Sequence, residues 1–453
     1  MNGGKVTPMS GFLEFLPEER IVEQHFLDVI RETFELHGFA SIETRAVETV
    51  ERLLGKGGDV DKEIYGVTRL GRGGEETGPS AGGREPELGL HFDLTVPFAR
   101  YVLENAGKLA FPFKRYQIQK VWRGERPQEG RYREFTQCDI DVVDVGQLAA
   151  HFEAEMPLVV ADAFRRLPIG DFVIQVNNRK IPEGFYRGIG LDDVPGTLRI
   201  VDKLDKIGPE AVARLLVDAG ATEAQARKCL QLAEIRTADL GFVDAVRELG
   251  VADATLDEGL AALAAVIEAG LTHAPGVLVA DLRIARGLDY YTGTVYETQL
   301  VGFESWGSFC SGGRYDSLAS DGRTTYPGVG ISIGLSRLLG LLVGKGLVRA
   351  SRCTPAAVLV AVGAEETRPR SAAVAAALRA RGIPCDLAPS AAKFGKQIRY
   401  AERRGIPFVW FVGAGAEGGD EVKDIRSGLQ VAADAATWLC PEADLRPAML
   451  LGV

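Results

Sequence analysis

The chain has 453 residues, 46% of them hydrophobic and 25% charged, with a formal net charge of −10. This is ordinary globular composition, long enough for two or three domains, and no apolar run reaches the roughly 18 residues that suggest a membrane span. The N-terminus lacks the apolar core of a signal peptide, so a soluble cytoplasmic enzyme is expected and a membrane protein is not.

Residues 71–87 contain Gly-Arg-Gly-Gly-Glu-Glu and Ser-Ala-Gly-Gly and read as a mobile, low-complexity loop. Residues 113–121 and 135–143 read as strands. Pro127-Gln-Glu-Gly130 between them is turn chemistry, so the pair predicts a long hairpin. The hairpin is dense in arginine: Arg123, Arg126, Arg131 and Arg133. Gln137 and Asp141 are four apart, an even number, and share a strand face. Between 193 and 272 the pattern turns helical, alanine-rich and glycine-bounded, which predicts a helical insertion.

Arg286-Gly-Leu-Asp-Tyr-Tyr-Thr-Gly-Thr-Val-Tyr-Glu297 reads as turn then strand. Arginine is a permanent cation with a planar fork of donors, suited to a carboxylate or a phosphate. Tyr290 and Tyr291, adjacent on a strand, would point to opposite faces, so only one could line a pocket with Arg286. A buried ion pair is the competing reading. Residues 328–342 read as a small-residue strand entering an apolar helix, with Arg337 their only charge and a ligand phosphate one partner for it. From about 355, strands at 358–362, 385–387 and 408–412 alternate with helices at 370–381 and 395–403, which predicts an α/β domain with parallel strands. Lys396, Arg399 and Arg403 share one helical face. That face is either ordinary solvated surface or the local positive field that a net-acidic chain needs to meet nucleic acid.

The six cysteines (Cys138, Cys229, Cys310, Cys353, Cys385 and Cys440) have no CxxC spacing. The five histidines (His25, His37, His91, His151 and His273) have no metal-ligand spacing. Neither zinc nor a disulfide framework is expected.

Taken together, these motifs resemble those of the histidyl-tRNA synthetases, a family of class II aminoacyl-tRNA synthetases. The hairpin resembles the second class II motif, and the Arg337 segment resembles the third. The segment from Gly11 to Glu48 resembles the first, a helix and strand at a dimer interface. Arg286 to Tyr291 and Gly307-Ser-Phe-Cys-Ser-Gly-Gly-Arg-Tyr-Asp316 match the two signatures of the histidine enzymes. There are departures. Thr44-Arg45-Ala46 stands where the first motif ends in proline, Ser336 stands where glutamate is frequent, and Asp93 replaces a glutamate of many bacterial members.

The resemblance implies an α+β architecture. A catalytic domain built on an antiparallel sheet would span 1–345, with the insertion at 193–272 within it, followed by an anticodon-binding α/β domain at 355–453. It implies that histidine is activated by ATP, which brings magnesium with ligands unknown, and then passed to tRNA(His). It also implies a homodimer. Arg123 and Arg286 would be catalytic and would contact the histidine carboxylate. Asp93, Thr95 and Gln137 would bind the ammonium, and Asp141, Tyr290 and Tyr291 the ring. Arg123, Glu125, Arg131, Phe135 and Arg337 would bind ATP. Arg126, Gln128, Lys396, Arg399 and Arg403 would meet tRNA. Non-aminoacylating paralogues that regulate histidine biosynthesis or sense tRNA form the alternative, and such proteins erode the arginines and generally lack the C-terminal domain.

Overall fold

The computed structural model describes residues 7–54, 64–69, 86–284 and 290–452. The loop expected at 71–87 lies outside the described residues except for its last two, and Arg286 lies outside them too. The chain divides into two compact units, Met1–Leu13 with Val29–Gly340, and Glu14–Asp28 with Leu341–Val453.

The first unit is organised by the predicted hairpin. Strand Phe113–Trp122 runs antiparallel to Glu134–Val143, with Phe113 opposite Val143 and Trp122 opposite Glu134. Gly130 turns the chain at φ 72, a conformation that side chains resist. The turn fixes the register. It thereby sets Arg115 opposite Asp141, Gln117 opposite Asp139 and Gln119 opposite Gln137. On the other side, strand Thr325–Gly334 sets Gly330 opposite Asp141, Ser332 opposite Asp139 and Gly334 opposite Gln137.

Around these three strands the sheet reaches nine. Its order is Ala40–Ser41, Phe113–Trp122, Glu134–Val143, Thr325–Gly334, Cys310–Ser320, Thr294–Leu300, Phe172–Asn178, Leu278–Asp281 and Arg236–Thr237. Pairing is antiparallel except between the first two strands and between Phe172–Asn178 and Leu278–Asp281. Helices cover one face. Glu153, on helix His151–Arg165, is buried there, where Arg314 Nη1 donates to its carboxylate at 2.8 Å and the Tyr296 hydroxyl to its backbone carbonyl at 2.6 Å. Helix Ala254–His273 sits tightly on helix Lys180–Gly188 through glycines. A Cβ on Gly184 would fall 2.4 Å from the Leu256 nitrogen. The opposite face carries Arg115, Gln117, Gln137, Asp139, Asp141 and Ser332 by strand alternation. Thr44, in place of the family's proline, is buried over this face, where its hydroxyl accepts from Gln117 Nε2 at 2.9 Å.

The stretch expected to be a helical insertion, 193–272, holds helices Val194–Val201, Leu204–Ile207, Pro209–Asp218, Glu223–Glu234 and Gly241–Glu248, together with the sheet strand Arg236–Thr237 and nearly all of helix Ala254–His273. The Glu223–Glu234 helix begins with a capping box from Thr222 and Gln225, which satisfies two of its orphan donors.

The second unit contains a five-stranded sheet in the order Cys385–Leu387, Val358–Val360, Phe408–Phe411, Asp420–Asp424 and Gln430–Ala433. The first three strands are parallel, as expected, with helices Arg368–Ala380 and Phe394–Arg404 between them. The last two form an antiparallel hairpin that the sequence reading did not include. Only Val422 is buried in Asp420–Asp424, and none of Gln430–Ala433 is, so the apolar alternation that signals a strand is missing.

Candidate active site

The sheet's polar face holds two adjoining regions. The first is a cleft of 230 Å³ walled by Arg123, Glu125, Arg131, Phe135, Gln137 and Arg337. Arg123 is anchored by its Nε, which donates to the Phe92 carbonyl at 3.0 Å, and its guanidinium lies over the Phe135 ring at 5.0 Å. Arg131 Nη1 donates to Glu125 at 3.3 Å. Arg337 donates to the Trp306 carbonyl, while its buried Nε has no hydrogen-bond partner among the described residues. Burial, and then the nearby Arg131 charge, make the Arg337 cation harder to keep. Cations forced together in this way suit a polyanion.

The second region is a buried carboxylate pocket. Asp93, Asp139 and Asp141 are 3%, 3% and 2% exposed. Arg115, fully buried, places Nη2 2.6 Å from Asp141 Oδ2, and its guanidinium stacks on Phe98 at 4.3 Å. The Tyr315 hydroxyl donates to Asp141 Oδ1 at 2.8 Å. Asp93 Oδ1 accepts from the Val96 amide at 3.1 Å, and Oδ2 accepts from the Tyr290 hydroxyl at 3.3 Å. The Thr95 hydroxyl also bonds Tyr290. Loss of solvent pushes all three carboxyls up, Asp93 to about 6 and Asp141 to about 7. Arg123 draws Asp93 back down, and Arg115 does the same for Asp139 and Asp141. Burial likewise raises Tyr290, Tyr291 and Tyr315.

Glycines make this pocket possible. A Cβ on Gly330 would lie 2.1 Å from Asp141 Oδ1, one on Gly328 2.5 Å from the Tyr315 ring, and one on Gly313 2.9 Å from Tyr291. The small-residue strands are therefore small because pocket side chains lie across them.

The structure brings Arg123, Glu125, Arg131, Phe135, Gln137 and Arg337 to the cleft, and Asp93, Thr95, Asp141, Tyr290 and Tyr291 to the pocket. Arg126 and Gln128 are exposed on the hairpin turn. Lys396, Arg399 and Arg403 are exposed in the second unit, where Gln397 and Ala401 of the same helix are buried. Strand alternation does not govern the two tyrosines. Tyr290 and Tyr291 precede the strand, which starts at Thr294, so nothing forces them to opposite faces. Their rings meet edge-on at 5.0 Å, and the charges of Asp93 and Asp141 bear on both hydroxyls.

Four pocket residues were missed in the sequence: Arg115, Asp139, Tyr315 and Ser332. Asp139 was within reach, since it lies midway between Gln137 and Asp141 on one alternating face. Tyr315 lay inside a quoted signature. Arg115 and Ser332 depend on strand register, which no local signal gives. Among the described residues no cluster of three or more His, Cys, Asp or Glu side chains is arranged to hold a metal ion.

Comparison with known proteins places these observations. The family model described as Histidyl-tRNA synthetase matches residues 11–338, and that described as Anticodon binding domain matches 356–436. Histidine--tRNA ligase of Micrococcus luteus is 61% identical over 97% of this chain and 97% of its own, and that of Cutibacterium acnes 58% identical over 98% and 99%. The crystal structure of histidyl-tRNA synthetase from Nostoc sp. PCC 7120 superposes with a TM-score of 0.83 at 36% identity, covering 95% of this chain and 97% of that one. With the nine-stranded sheet, the arginine cleft and the carboxylate pocket in place, the chain belongs to the histidyl-tRNA synthetase family.

Proposed function

We propose that the protein is a histidine–tRNA ligase, which joins histidine to ATP as histidyl-adenylate and then passes the histidyl group to tRNA(His). The observation that carries this reading is the junction of the two regions. A buried pocket of carboxylates and tyrosines adjoins an arginine-lined cleft, with Arg123 and Gln137 at the border.

In the first step the histidine carboxylate attacks the α-phosphorus of ATP and pyrophosphate leaves. Two anions must meet, and charge grows on the phosphoryl oxygens, so the protein's task is positioning and neutralisation. Arg123, held by Phe92 and Phe135, grips the carboxylate and α-phosphate. Arg286, assigned from its signature alone, shares that task. Arg131 and Arg337 hold the γ-phosphate end, Phe135 stacks on adenine and Glu125 accepts from its amino group. Magnesium enters with ATP as part of that substrate. No enzyme nucleophile is needed. In the second step the terminal ribose hydroxyl of tRNA attacks the activated carbonyl and AMP leaves.

Asp141 and Tyr291 meet the two ring nitrogens, with Tyr290 beside them, and Asp93, Thr95 and Gln137 take the ammonium. A site built of buried hydrogen-bonding groups rejects substrates that lack the partner atoms by roughly 10⁴-fold or more, so no editing domain is required. Arg126 and Gln128 reach the acceptor end of tRNA. Lys396, Arg399 and Arg403 meet the anticodon stem and loop. The enzyme works as a cytoplasmic homodimer joined largely through the segment from Gly11 to Glu48, with about twice the 48.7 kDa chain mass.

Histidine-dependent exchange of pyrophosphate into ATP, followed by charging of tRNA with each of the twenty amino acids, tests this reading. Exchange and charging with histidine alone are expected. Absence of exchange would leave a binding protein on a synthetase fold.

A further inference from the structure

Asp139 is the pocket carboxylate with the fewest hydrogen bonds among the described residues. Asp141 has Arg115 and Tyr315, and Asp93 has the Val96 amide and Tyr290. Asp139 bonds Ser332, and among the described residues its Oδ1 is buried without a hydrogen-bond partner. The pocket's described cations are two, Arg115 and Arg123, against three carboxylates. A buried carboxylate oxygen left without a hydrogen bond is costly even with Arg115 and Arg123 nearby, so a free acceptor at this depth calls for a cause.

Ser332 supplies the geometry. Its hydroxyl oxygen accepts from Gln137 Nε2 at 2.7 Å and is also hydrogen-bonded to Asp139. A hydroxyl has one hydrogen, and an ionised carboxylate can only accept. Ser332 therefore donates to Asp139 and accepts from Gln137. This chain fixes the Gln137 amide, because the reverse orientation would set its carbonyl oxygen against a hydroxyl whose hydrogen is already given away. The result is two buried acceptors with no hydrogen-bond partner among the described residues, Gln137 Oε1 and Asp139 Oδ1, two residues apart on one strand face.

We propose that Asp139 is a second carboxylate for the substrate's α-ammonium, acting beside Asp93, with Ser332 as the positioning residue that turns Asp139 and Gln137 toward it. The ligand chemistry follows from the acceptors. A primary ammonium brings a positive charge and three donors, which a neutral ring nitrogen does not. The proposal rests on the reading of the site as a histidine-activating one.

The test uses full-length enzyme and three ligands in calorimetric titrations: L-histidine, L-histidinol, which keeps ring and ammonium, and imidazolepropionate, which keeps ring and carboxylate. Asp139→Asn is expected to weaken histidine and histidinol by roughly 10- to 100-fold, the scale for hydrogen bonds to charged groups. Binding of imidazolepropionate and of ATP should change less than about twofold on that same scale. Ser332→Ala should give a weaker version of the same pattern and Ser332→Thr should restore it, which tests the relay even if the Asp139 variant fails to fold. Equal weakening of all three ligands would place Asp139 at the ring or in the scaffold, and unchanged histidine binding would remove it from the site. Either result overturns the proposal. A wild-type enzyme that binds no histidine would instead overturn the reading on which it rests.

Discussion

The arginine cleft and the carboxylate pocket lie on one sheet face yet are built differently. In the cleft, Arg131 is half exposed and Arg337 keeps an unpartnered nitrogen, and the cations crowd one another. In the pocket, charged groups are sealed away, glycines clear space for them to ångström tolerance, and both oxygens of Asp93 and of Asp141 have partners, while Asp139 Oδ1 has none among the described residues. Crowded cations at a wet cleft bind whatever polyanion arrives, and they help most where charge increases during reaction. Sealed hydrogen-bonding groups discriminate, because a wrong ligand leaves them unpaired. The cleft should therefore govern turnover and the pocket should govern choice of amino acid.

The sharpest way to break this division is Arg123, which belongs to both. Arg123→Ala should lower the rate of adenylate formation by roughly 10²- to 10³-fold, the scale for losing one donor to a developing oxyanion. Single-turnover measurement at saturating histidine and ATP reads this directly. If only the Michaelis constants rise, Arg123 contributes uniform binding and the cleft is not where charge develops.

Asp141→Asn addresses the pocket alone. It breaks the Arg115 pair at 2.6 Å and the bond from Tyr315. Removing one partner of a buried pair typically costs about 3–5 kcal/mol. Histidine affinity should fall by about 10²-fold or more on that scale, while ATP affinity changes little. A matched loss of ATP binding would make the two regions one unit.

How much of this was legible in the sequence follows the same line. The cleft could be read residue by residue. Arg123, Glu125 and Arg131 flank one turn, and Arg337 is the only charge in an apolar helix, so each stood out locally. The hairpin itself followed from Pro127 to Gly130 and the flanking alternation. The pocket was read only in part. Gln137 and Asp141 showed through their even spacing, but Arg115 is opposite Asp141 only because the turn has its particular length. Ser332 matters only because a third strand adds in one register. Tyr290 and Tyr291 were misread because a strand was started four residues early. The Asp420–Asp424 and Gln430–Ala433 hairpin escaped because its faces are too evenly polar to show a period. Local chemistry is written in neighbouring residues, whereas register and close approach are properties of the assembled sheet.

Gly330→Ala probes that assembled property. The added Cβ would meet Asp141 Oδ1 at 2.1 Å, within a strand held on both sides. Overpacking of this kind costs roughly 1–3 kcal/mol. Histidine affinity should drop by about tenfold to a hundredfold on that scale while ATP affinity holds. Equilibrium binding of each substrate decides it, and unaltered histidine affinity would mean that Asp141 has room to move.

The smallest effect expected is on stability against pH, and it tests whether the pocket awaits a cation. Asp93 and Asp141 are raised to about 6 and about 7, and Asp139 is raised as well, burial being the first cause for each. The unfolded chain releases these protons near pH 4. A raised carboxyl favours the folded state fully below that pH, and the advantage is lost as pH climbs through the folded-state values. The ligand-free protein should therefore lose stability from this pocket between about pH 4 and pH 7, as its ionised carboxylates come to face one another. Asp139→Asn removes one of the three and its repulsion on Asp93 and Asp141. It should raise the melting temperature of the ligand-free protein by about 1–3 °C at pH 8, the scale of a small stability change in a domain of this size, and by less at pH 5. Scanning calorimetry of both proteins across this range, without histidine, supplies the comparison. A variant less stable at pH 8 than the wild type would show that Asp139 is compensated before substrate arrives, and the contrast between a finished pocket and an unfinished one would then fall.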